Sequence, residues 1–311
     1  MSELSRHAVR RSTLVLPGSN ERFLTKAPTL DADAFLLDLE DAVAPAEKPS
    51  ARAKVCAAVR ASDFGGRPVA VRINGWTTPW ARDDVTAVVG GCEGRLDALM
   101  LPKAAGPEEV AALAALIDDV ERSAGIAHGT TGIDVLVESA IGLARVEETV
   151  IASPRVECLS VGLGDLAASL RMPTLVAGDA AKNYPGDIFH YVLVRLLVAA
   201  RAAEITMLDG AYHRIDDLDG LGEIARRSRA LGFDGKWAIH PSQVPPLNRI
   251  YSPTAAEVAR AEEIIRAVDA SIVADQRGAV RDADEMLDEA SRKMAEAVLD
   301  RNRRSGGSSV R

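Results

Sequence analysis

Eight short apolar runs, separated by amphipathic stretches, constrain the fold of this 311-residue chain more than any other feature. The runs are rich in Val, Ile, Leu and Phe with little alternation, which is typical of parallel strands covered by helices on both faces. They are Ser12–Leu16, Ala34–Leu39, Pro68–Ile73, Leu96–Leu101, Ile133–Val137, Glu157–Val161, Ile205–Leu208 and Lys236–Ile239. Eight such runs over about 240 residues predict a (β/α)8 TIM barrel. The alternative, a doubly wound sheet, is disfavoured because the stretch 16–20 (LPGSN) lacks a GxGxxG phosphate loop.

The segment after the eighth run exceeds what a barrel requires. A helix is predicted after Ser252-Pro253-Thr254, a break at Gln276-Arg277-Gly278, and a second helix over Asp284–Arg301. A short polar stretch follows, and its composition predicts disorder. The predicted parts are a barrel domain (1–252), a C-terminal helical extension (253–303) and a disordered tail (304–311).

Composition excludes several classes of protein. The chain has 37 Lys and Arg against 45 Asp and Glu, a net charge of −8, which argues against bulk binding to nucleic acid or to an anionic membrane. No apolar run approaches the roughly 20 residues of a membrane span, and the N-terminus lacks the apolar stretch of a signal peptide. Cys56, Cys92 and Cys158 are widely spaced, with no metal-like pairing. We therefore expect a reduced, cytoplasmic protein with no nucleic-acid or membrane partner.

Ionisable side chains follow nearly every predicted strand. In a (β/α)8 barrel the carboxyl ends of the strands meet at one face, where the catalytic groups gather. The strand ends carry Pro17, Asp38, Glu40, Asp41, Arg72, Lys103, Glu138, Asp165, Asp209 and His240. These residues are therefore candidates for one shared site.

Glu138 and Asp165 follow the consecutive strands five and six, so their side chains are expected to be neighbours. Two carboxylates without nearby His or Cys suit a hard cation such as Mg²⁺, with water and substrate oxygens completing the coordination. Zinc is disfavoured because the five histidines show no ligand spacing. The alternative is that Glu138 caps the following helix and Asp165 caps its own loop.

Arg72 lies at the end of the third strand. A guanidinium there can bind a carboxylate through two hydrogen bonds or stabilise a developing oxyanion. A structural ion pair with the acidic cluster of Asp38, Glu40 and Asp41 is an equal alternative. Lys103 lies where a Schiff-base aldolase keeps its lysine, although an ion-paired or solvated lysine is the more usual case, and the metal-type carboxylates favour the other aldolase mechanism.

Four basic residues near the first two loops have helix-like spacing on this acidic chain. They are Arg22, Lys26, Lys48 and Arg52. They predict a local phosphate-binding site, and the alternative is that they form solvated helix faces.

A series of motifs runs in order through the whole chain. They are LPGSNERF (16–23), LLDLEDAV (36–43), VRIN (71–74), LPK (101–103), VES (137–139), GLGDLAASL (162–170), AIHPSQ (238–243) and RGAV (277–280). Together they resemble the HpcH/HpaI aldolase and citrate lyase beta-subunit-like family. The stretch YPGDIFHYVLVRLLVAARAA (184–203) is most similar to the malyl-CoA, methylmalyl-CoA and citramalyl-CoA lyases.

The resemblance implies a role for each candidate. Mg²⁺, with Mn²⁺ as an alternative, would be bound by Glu138 and Asp165, and coenzyme A would lie across the barrel mouth as part of the substrate. Arg72 would reach the reacting oxygens, and Glu40 and Asp41 would orient Arg72 or metal-bound water. The CoA-binding residues would be Arg22, Lys26, Lys48 and Arg52.

The resemblance also implies that the C-terminal extension is a lid on a neighbouring subunit of a homo-oligomer, a trimer or hexamer with shared active sites. The lid would deliver Asp288 as a catalytic acid and base. The family's run Gly-x-Met-Val-Asp reads Asp284-Glu285-Met286-Leu287-Asp288 in this chain.

The activity implied is a Mg²⁺-dependent carbon–carbon lyase. It would cleave a 3-hydroxyacyl-CoA, such as malyl-CoA, methylmalyl-CoA or citramalyl-CoA, to an acyl-CoA and a 2-oxo acid. The alternatives are a malyl-CoA thioesterase, a malate-synthase-like condensation, and a subunit acting on a citryl carrier protein or citryl-CoA. A phosphoenolpyruvate-type barrel without CoA is a further alternative.

Overall fold

The computed structural model describes residues 8–173, 184–275, 279–282 and 284–306. Within these residues eight parallel strands pair in chain order, and the eighth pairs with the first, so the sheet closes into a barrel. The strands are β1 Ser12–Pro17, β2 Ala34–Asp38, β3 Val69–Arg72, β4 Ala98–Leu101, β5 Gly132–Val137, β6 Val156–Val161, β7 Thr206–Asp209 and β8 Gly235–Ala238. Each strand overlaps the apolar run that predicted it. The (β/α)8 TIM-barrel prediction is confirmed.

Helices connect the strands. In the barrel they are α1 Glu21–Lys26, α2 Lys48–Ala61, α3 Ala81–Gly91, α4 Pro107–Ala124, α5 Ala140–Ala144, α6 Val146–Val150, α7 Leu163–Ser169, α8 His190–Ala202, α9 Leu218–Leu231 and α10 Val244–Tyr251. The helix α4 shows how the sequence sets such bounds: it begins at Pro107, which lacks the amide proton that a first turn leaves unpaired, and ends before Gly125 at φ 68°. Short 3-10 helices lie at Ala27–Thr29, Pro45–Glu47 and Pro241–Gln243.

The barrel interior is filled by alternate residues of the strands. The apolar core there consists of Leu36, Ala70, Ala98, Met100, Leu136, Cys158, Leu208 and Trp237. Because successive side chains in a strand point to opposite faces, a residue two positions beyond a core residue points to the same interior. Asp38, Arg72 and Glu138 each stand two positions beyond a core residue, so they project from the interior face at the carboxyl end of the barrel.

At the opposite, amino-terminal end, the segment before β1 packs against the barrel. The Arg10 side chain is only 4% exposed and its Nη1 donates to Asp134 Oδ2 at 2.9 Å. Asp134 lies two residues before the core residue Leu136, so this pair lies in the barrel interior. The Arg10 carbonyl lies directly against Gly235, where a Cβ would stand 1.8 Å from the Arg10 oxygen. The segment before β1 therefore covers this end of the barrel.

The chain divides into two compact units, Met1–Asn248 and Arg249–Arg311, and the boundary predicted from sequence lies at 252/253. In the second unit the helix α11 spans Ala255–Asp275, and an antiparallel hairpin of β9 (Ala279–Asp282) and β10 (Glu285–Asp288) leads into α12 (Glu289–Arg304).

The helix predicted over Asp284–Arg301 is wrong at its start, because residues Glu285–Asp288 form a strand. The strand pairs with β9, and Asp288 then caps α12: its carboxylate accepts a hydrogen bond from Ser291 N at 3.0 Å. The helix also continues to Arg304, the first residue of the predicted tail. The predicted break at 276–278 and residues 307–311 of the predicted tail lie outside the described residues. None of the described helices combines the length and apolarity that a bilayer crossing needs.

Candidate active site at the carboxyl end of the barrel

The centre of the candidate site is the Arg72 guanidinium at the end of β3. Its Nε and Nη2 donate to the two oxygens of Asp38 at 2.7 and 2.6 Å, a fork-to-fork pair in which the Asp38 side chain is fully buried. Nη1 lies 3.1 Å from Glu40 Oε2 and 3.5 Å from Asp41 Oδ2. Burial alone would lower the pKa of Arg72, but the hydrogen bonds to Asp38 and the charges of Glu40 and Asp41 raise it above its ordinary value. Arg72 is therefore a permanent cation held in one orientation.

Asp38 also shapes the loop that carries the other two carboxylates. Its Oδ1 accepts from Glu40 N at 2.9 Å and its Oδ2 from Ala42 N at 3.0 Å. These bonds turn the chain back over the end of β2, so Glu40 and Asp41 face Arg72. The predicted ion pair of Arg72 with the acidic cluster is present. The Arg72 Nη1 atom lies on the side of Asp41, whose side chain is exposed.

Lys103, which follows β4, connects the acidic cluster of Asp38, Glu40 and Asp41 to Glu138 at the end of β5. Its main chain has φ +52°, its amide donates to Glu138 Oε1 at 2.9 Å, and its ammonium donates to Glu40 Oε1 at 2.7 Å. Partial burial lowers the pKa of Lys103, but the hydrogen bond to Glu40 and the neighbouring carboxylates outweigh burial and raise that pKa above its ordinary value. A Schiff-base lysine needs a neutral amine, so this environment disfavours that role. Burial raises the pKa of Glu40, despite Arg72 and Lys103.

Glu138 follows β5 and is only 3% exposed. Its carboxylate packs on Gly162 at the end of β6, where a Cβ would lie 2.4 Å from Glu138 Oε2. Burial and the negative charges of Glu40 and Asp165 raise the pKa of Glu138 to about 8. The cap of α5 is Ser139, whose hydroxyl accepts from Gly142 N, so the alternative in which Glu138 caps that helix is wrong.

Asp165 lies in the first turn of α7 and is exposed. It is close enough for its charge to act on Glu138, and among the described residues its side chain has no hydrogen-bond partner. Within the described ranges no cluster of three or more His, Cys, Asp or Glu is arranged to hold a metal ion. Two carboxylates, one buried beside an acidic neighbour and one open, fit a cation such as Mg²⁺, which keeps several water or substrate ligands.

The four predicted phosphate-binding residues divide into two pairs. Lys48 is 4% exposed, and its ammonium donates to the carbonyls of Leu39 and Glu40 at 2.9 Å each; burial lowers its pKa. Arg52 donates to Asp84 Oδ1 at 2.7 Å. Both residues therefore stabilise loops at the barrel mouth.

Arg22 and Lys26 form the second pair. They are exposed one turn apart on α1, and neither side chain has a hydrogen bond or ion pair with a described residue. These two remain available to a phosphate, and the assignment of all four to CoA stays a prediction.

Two other strand-end candidates have structural partners. Asp209 follows the core residue Leu208 and so points away from the barrel interior. There it accepts from Lys236 Nζ at 2.8 Å in a fully buried pair. The exposed His240 caps the 3-10 helix that follows it by accepting from Ser242 N at 3.2 Å.

Asp288 belongs to the C-terminal unit, where it is the N-cap of α12 with its carboxylate on Ser291. The hydrogen bonds from Ser291 lower the pKa of Asp288, so the carboxylate is ionised at neutral pH. The hairpin that carries Asp288 is fixed by Arg260, which pairs with Asp282 and Glu285 at 2.7 Å each.

Comparison with known proteins shows the family to which the chain belongs. Residues 11–241 match the family model described as HpcH/HpaI aldolase/citrate lyase. The chain belongs to this family.

Within the HpcH/HpaI aldolase/citrate lyase family, the relatives are similar over most of the chain. An L-malyl-CoA/beta-methylmalyl-CoA lyase of Cereibacter sphaeroides is 37% identical over 298 residues, 93% of each chain. A (3S)-malyl-CoA thioesterase of the same species is 38% identical over 83% of this chain and 82% of that protein. A crystal structure of CitE from Mycobacterium tuberculosis in complex with magnesium, acetoacetate and coenzyme A is 31% identical. It has a TM-score of 0.77 and covers 97% of this chain and 99% of that chain. The resemblance stated from the motifs is confirmed.

Sequence reasoning underrated two residues of this site. The sequence offers Lys103 as a nucleophile or as an ion-paired or solvated lysine, although the barrel order places it after β4, next to β5. Trp237 was not considered at all; its ring lies 5.9 Å from the Arg72 guanidinium carbon, and its buried indole nitrogen has no partner among the described residues. The interior position of Trp237 on β8 is the signal that could have placed it under the site.

Proposed function

We propose that this family member is a Mg²⁺-dependent lyase that cleaves a 3-hydroxyacyl-CoA into an acyl-CoA and a 2-oxo acid. The observation that carries the proposal is the juxtaposition of a buried carboxylate, Glu138, an open carboxylate, Asp165, and the fixed cation Arg72 at one end of the barrel. The named activities of the relatives, malyl-CoA/methylmalyl-CoA lyase above all, support the same chemistry.

Glu138 and Asp165 are the proposed Mg²⁺ ligands. Burial and the neighbouring negative charges, which raise the pKa of Glu138, would be offset by a bound cation, and the close contact with Gly162 fixes where the Glu138 carboxylate lies. When bound there, Mg²⁺ would supply Lewis-acid polarisation of substrate oxygens. Mn²⁺ has the same preference for oxygen ligands.

Arg72 is the proposed electrostatic catalyst. During cleavage the bond between the α and β carbons breaks, its electron pair passes to the α carbon as the acyl-CoA enolate, and the hydroxyl becomes a carbonyl by releasing its proton to solvent. Negative charge therefore develops on substrate oxygens, and a fixed guanidinium donor stabilises such charge by about 3–4 kcal/mol. Asp38, Glu40 and Asp41 orient Arg72 before the substrate arrives.

Asp288 is the proposed proton donor and acceptor for the enolate carbon. In cleavage Asp288 first takes up a proton from solvent and then donates it to the enolate carbon, whereas in condensation its ionised form removes that proton. We propose that it serves the site of a neighbouring subunit in a homo-oligomer, a trimer or hexamer. Arg22 and Lys26, whose side chains are unpaired within the described residues, are the proposed contacts for the CoA phosphates, and Lys48 and Arg52 are proposed to support that site through the mouth loops that they hold.

We place the enzyme in a reducing compartment, the cytoplasm. Cys56, Cys92 and Cys158 are buried free thiols, which supports this location.

A thioesterase is the second candidate, because the relative named (3S)-malyl-CoA thioesterase is as similar in sequence as the lyase. The test is a product assay with purified protein, Mg²⁺ and (S)-malyl-CoA, (S)-citramalyl-CoA or β-methylmalyl-CoA in parallel, following the free thiol and the 2-oxo acid together. Release of 2-oxo acid without thiol is the expected result. Thiol without 2-oxo acid would identify a thioesterase, and no product from any ester would refute both candidates. An EDTA control tests the metal dependence.

Exchange of subunits tests the shared site. Asp288→Asn and Arg72→Ala proteins, each inactive alone, should recover activity when their subunits are mixed, because some sites then receive an intact residue from each. No recovery after confirmed subunit exchange would contradict the shared-site model.

A further inference from the structure

Lys103 hydrogen-bonds both to the acidic loop after β2 and to the proposed metal ligand after β5. We propose that Lys103 is a positioning residue: its main chain orients Glu138 as a metal ligand, and its ammonium keeps Glu40 and Asp41 from becoming additional ligands. This inference rests on the proposed function for its metal but concerns a residue to which that function gives no role.

The main-chain half of the proposal follows from an uncommon conformation. Lys103 has φ +52°, the left-handed region that residues with a Cβ rarely adopt. This turn at the end of β4 aims the Lys103 amide at Glu138 Oε1, 2.9 Å away. The other oxygen, Oε2, packs on Gly162 at the end of β6, the strand that leads to Asp165. Glu138 is thus held from two strands, with its rotation fixed.

The side-chain half follows from the charges at the mouth. Five carboxylates converge there, and they are Asp38, Glu40, Asp41, Glu138 and Asp165. Arg72 is shared among the first three. The Lys103 ammonium lies 2.7 Å from Glu40 Oε1 and 3.5 Å from Asp41 Oδ1. It therefore occupies the Glu40 oxygen that Arg72 does not contact, and without it that oxygen would be free to bind a cation.

This arrangement predicts opposite effects on metal binding and on turnover. Loss of the ammonium removes a positive charge near the metal and releases the Glu40 carboxylate, so Mg²⁺ should bind about tenfold more tightly. Turnover should fall by about 100-fold, because an added protein ligand displaces the substrate oxygens from their place and Arg72 moves toward the unbalanced carboxylates. A residue that only stabilises the fold would weaken both properties together.

The experiment is calorimetric titration of MgCl₂ into the metal-stripped full-length protein, alongside steady-state kinetics on the best ester. The variants are Lys103→Met, Lys103→Asn and Lys103→Arg. Asn tolerates the left-handed region and gives a second neutral variant should Met fail to fold, and Arg keeps the charge. Arg122→Met is the matched control, because it removes one cation from an exposed ion pair on α4, with Asp119, away from the strand ends.

The expected result is tighter Mg²⁺ binding with lower turnover in the folded neutral variants, and values near those of the wild type in Lys103→Arg and in the control. Unchanged or weaker Mg²⁺ binding in the neutral variants would overturn the proposal. If the wild type turned over no ester but the Mg²⁺ pattern held, the proposed reaction would fail while the positioning role stood. No Mg²⁺ binding to the wild type would overturn both.

Discussion

Replacing Glu138 by glutamine removes a buried carboxylate whose ionisation is unfavourable in the folded protein. Its pKa of about 8, against an ordinary 4.5, means that the folded protein favours the neutral carboxyl by about 5 kcal/mol at 1.36 kcal/mol per pH unit. At 3% exposure, solvent screens little of this cost. Below pH 4.5 both the folded and the unfolded states bind the proton and the charge costs nothing. As the pH rises toward 8 the unfolded state ionises freely while the folded state resists, so stability is lost through this interval.

Glu138→Gln removes that penalty. In EDTA the variant should exceed the wild type in free energy of unfolding by about 5 kcal/mol at pH 9 and by less than about 1 kcal/mol at pH 5. At about 2 °C per kcal/mol, the difference at pH 9 corresponds to a melting temperature about 10 °C higher. The measurement is thermal unfolding by circular dichroism in metal-free buffers from pH 5 to 9. Added Mg²⁺ should stabilise the wild type at pH 9 and leave Glu138→Gln unchanged.

Glu121→Gln is the matched control, because Glu121 is a second buried glutamate with the opposite surroundings. Its carboxylate accepts from Thr131 N and Gly129 N and pairs with Arg155. Burial raises its pKa, but Arg155 and these amides outweigh burial and lower it. Glu121→Gln should therefore destabilise the protein by about 2–3 kcal/mol. The reasoning is refuted if metal-free Glu138→Gln is no more stable than the wild type at pH 9.

Three further predictions concern the same site. Gly162→Ala places a methyl group against Glu138, so the folded variant should bind Mg²⁺ more weakly by about tenfold or more in calorimetry, since the ligand must rotate away. Wild-type Mg²⁺ affinity should fall about tenfold per pH unit below pH 8, because the proton on Glu138 competes with the metal, and reach a plateau above it. Arg72→Lys loses one of the two hydrogen bonds to Asp38. It should lower kcat by about 100-fold while KM for the CoA ester changes little. An equal rise in KM would contradict a role confined to the transition state.

The barrel could be predicted from the sequence because its signal is local. A parallel strand buried on both faces needs a continuous apolar run, and the order of the runs gives the order of the strands. The charged residues after the strands could be listed for the same reason. Asp209 shows the limit of that argument: it ends a strand, but alternation turns it outward to Lys236. The alternation of side chains along each strand distinguishes the two residues: Glu138 lies two positions after an interior residue and points inward, whereas Asp209 directly follows one and points outward.

The partners of the basic residues could not be predicted, because helical spacing does not say which face packs inward. Lys48 was expected to meet a phosphate, and the structure buries it against two main-chain carbonyls of the acidic loop. The hairpin before α12 was missed for a related reason. The pairing of β10 with β9 joins two separate segments of the chain, whereas the pattern of Asp284–Arg301 alone is equally compatible with a longer helix.

The cover formed by the segment before β1 has a consequence for access to the barrel core. A closed barrel has no sheet edge, but its two ends still expose the interior side chains unless something blocks them. Arg10 covers the amino-terminal end of the barrel. Its guanidinium binds Asp134, and its carbonyl lies so close to Gly235 that residue 235 has no room for a side chain. A chain beginning at Ser12 would keep all eight strands, yet it would leave the buried carboxylate of Asp134 without its cation. The few residues ahead of the first strand therefore shield the amino-terminal end of the packed barrel core from water.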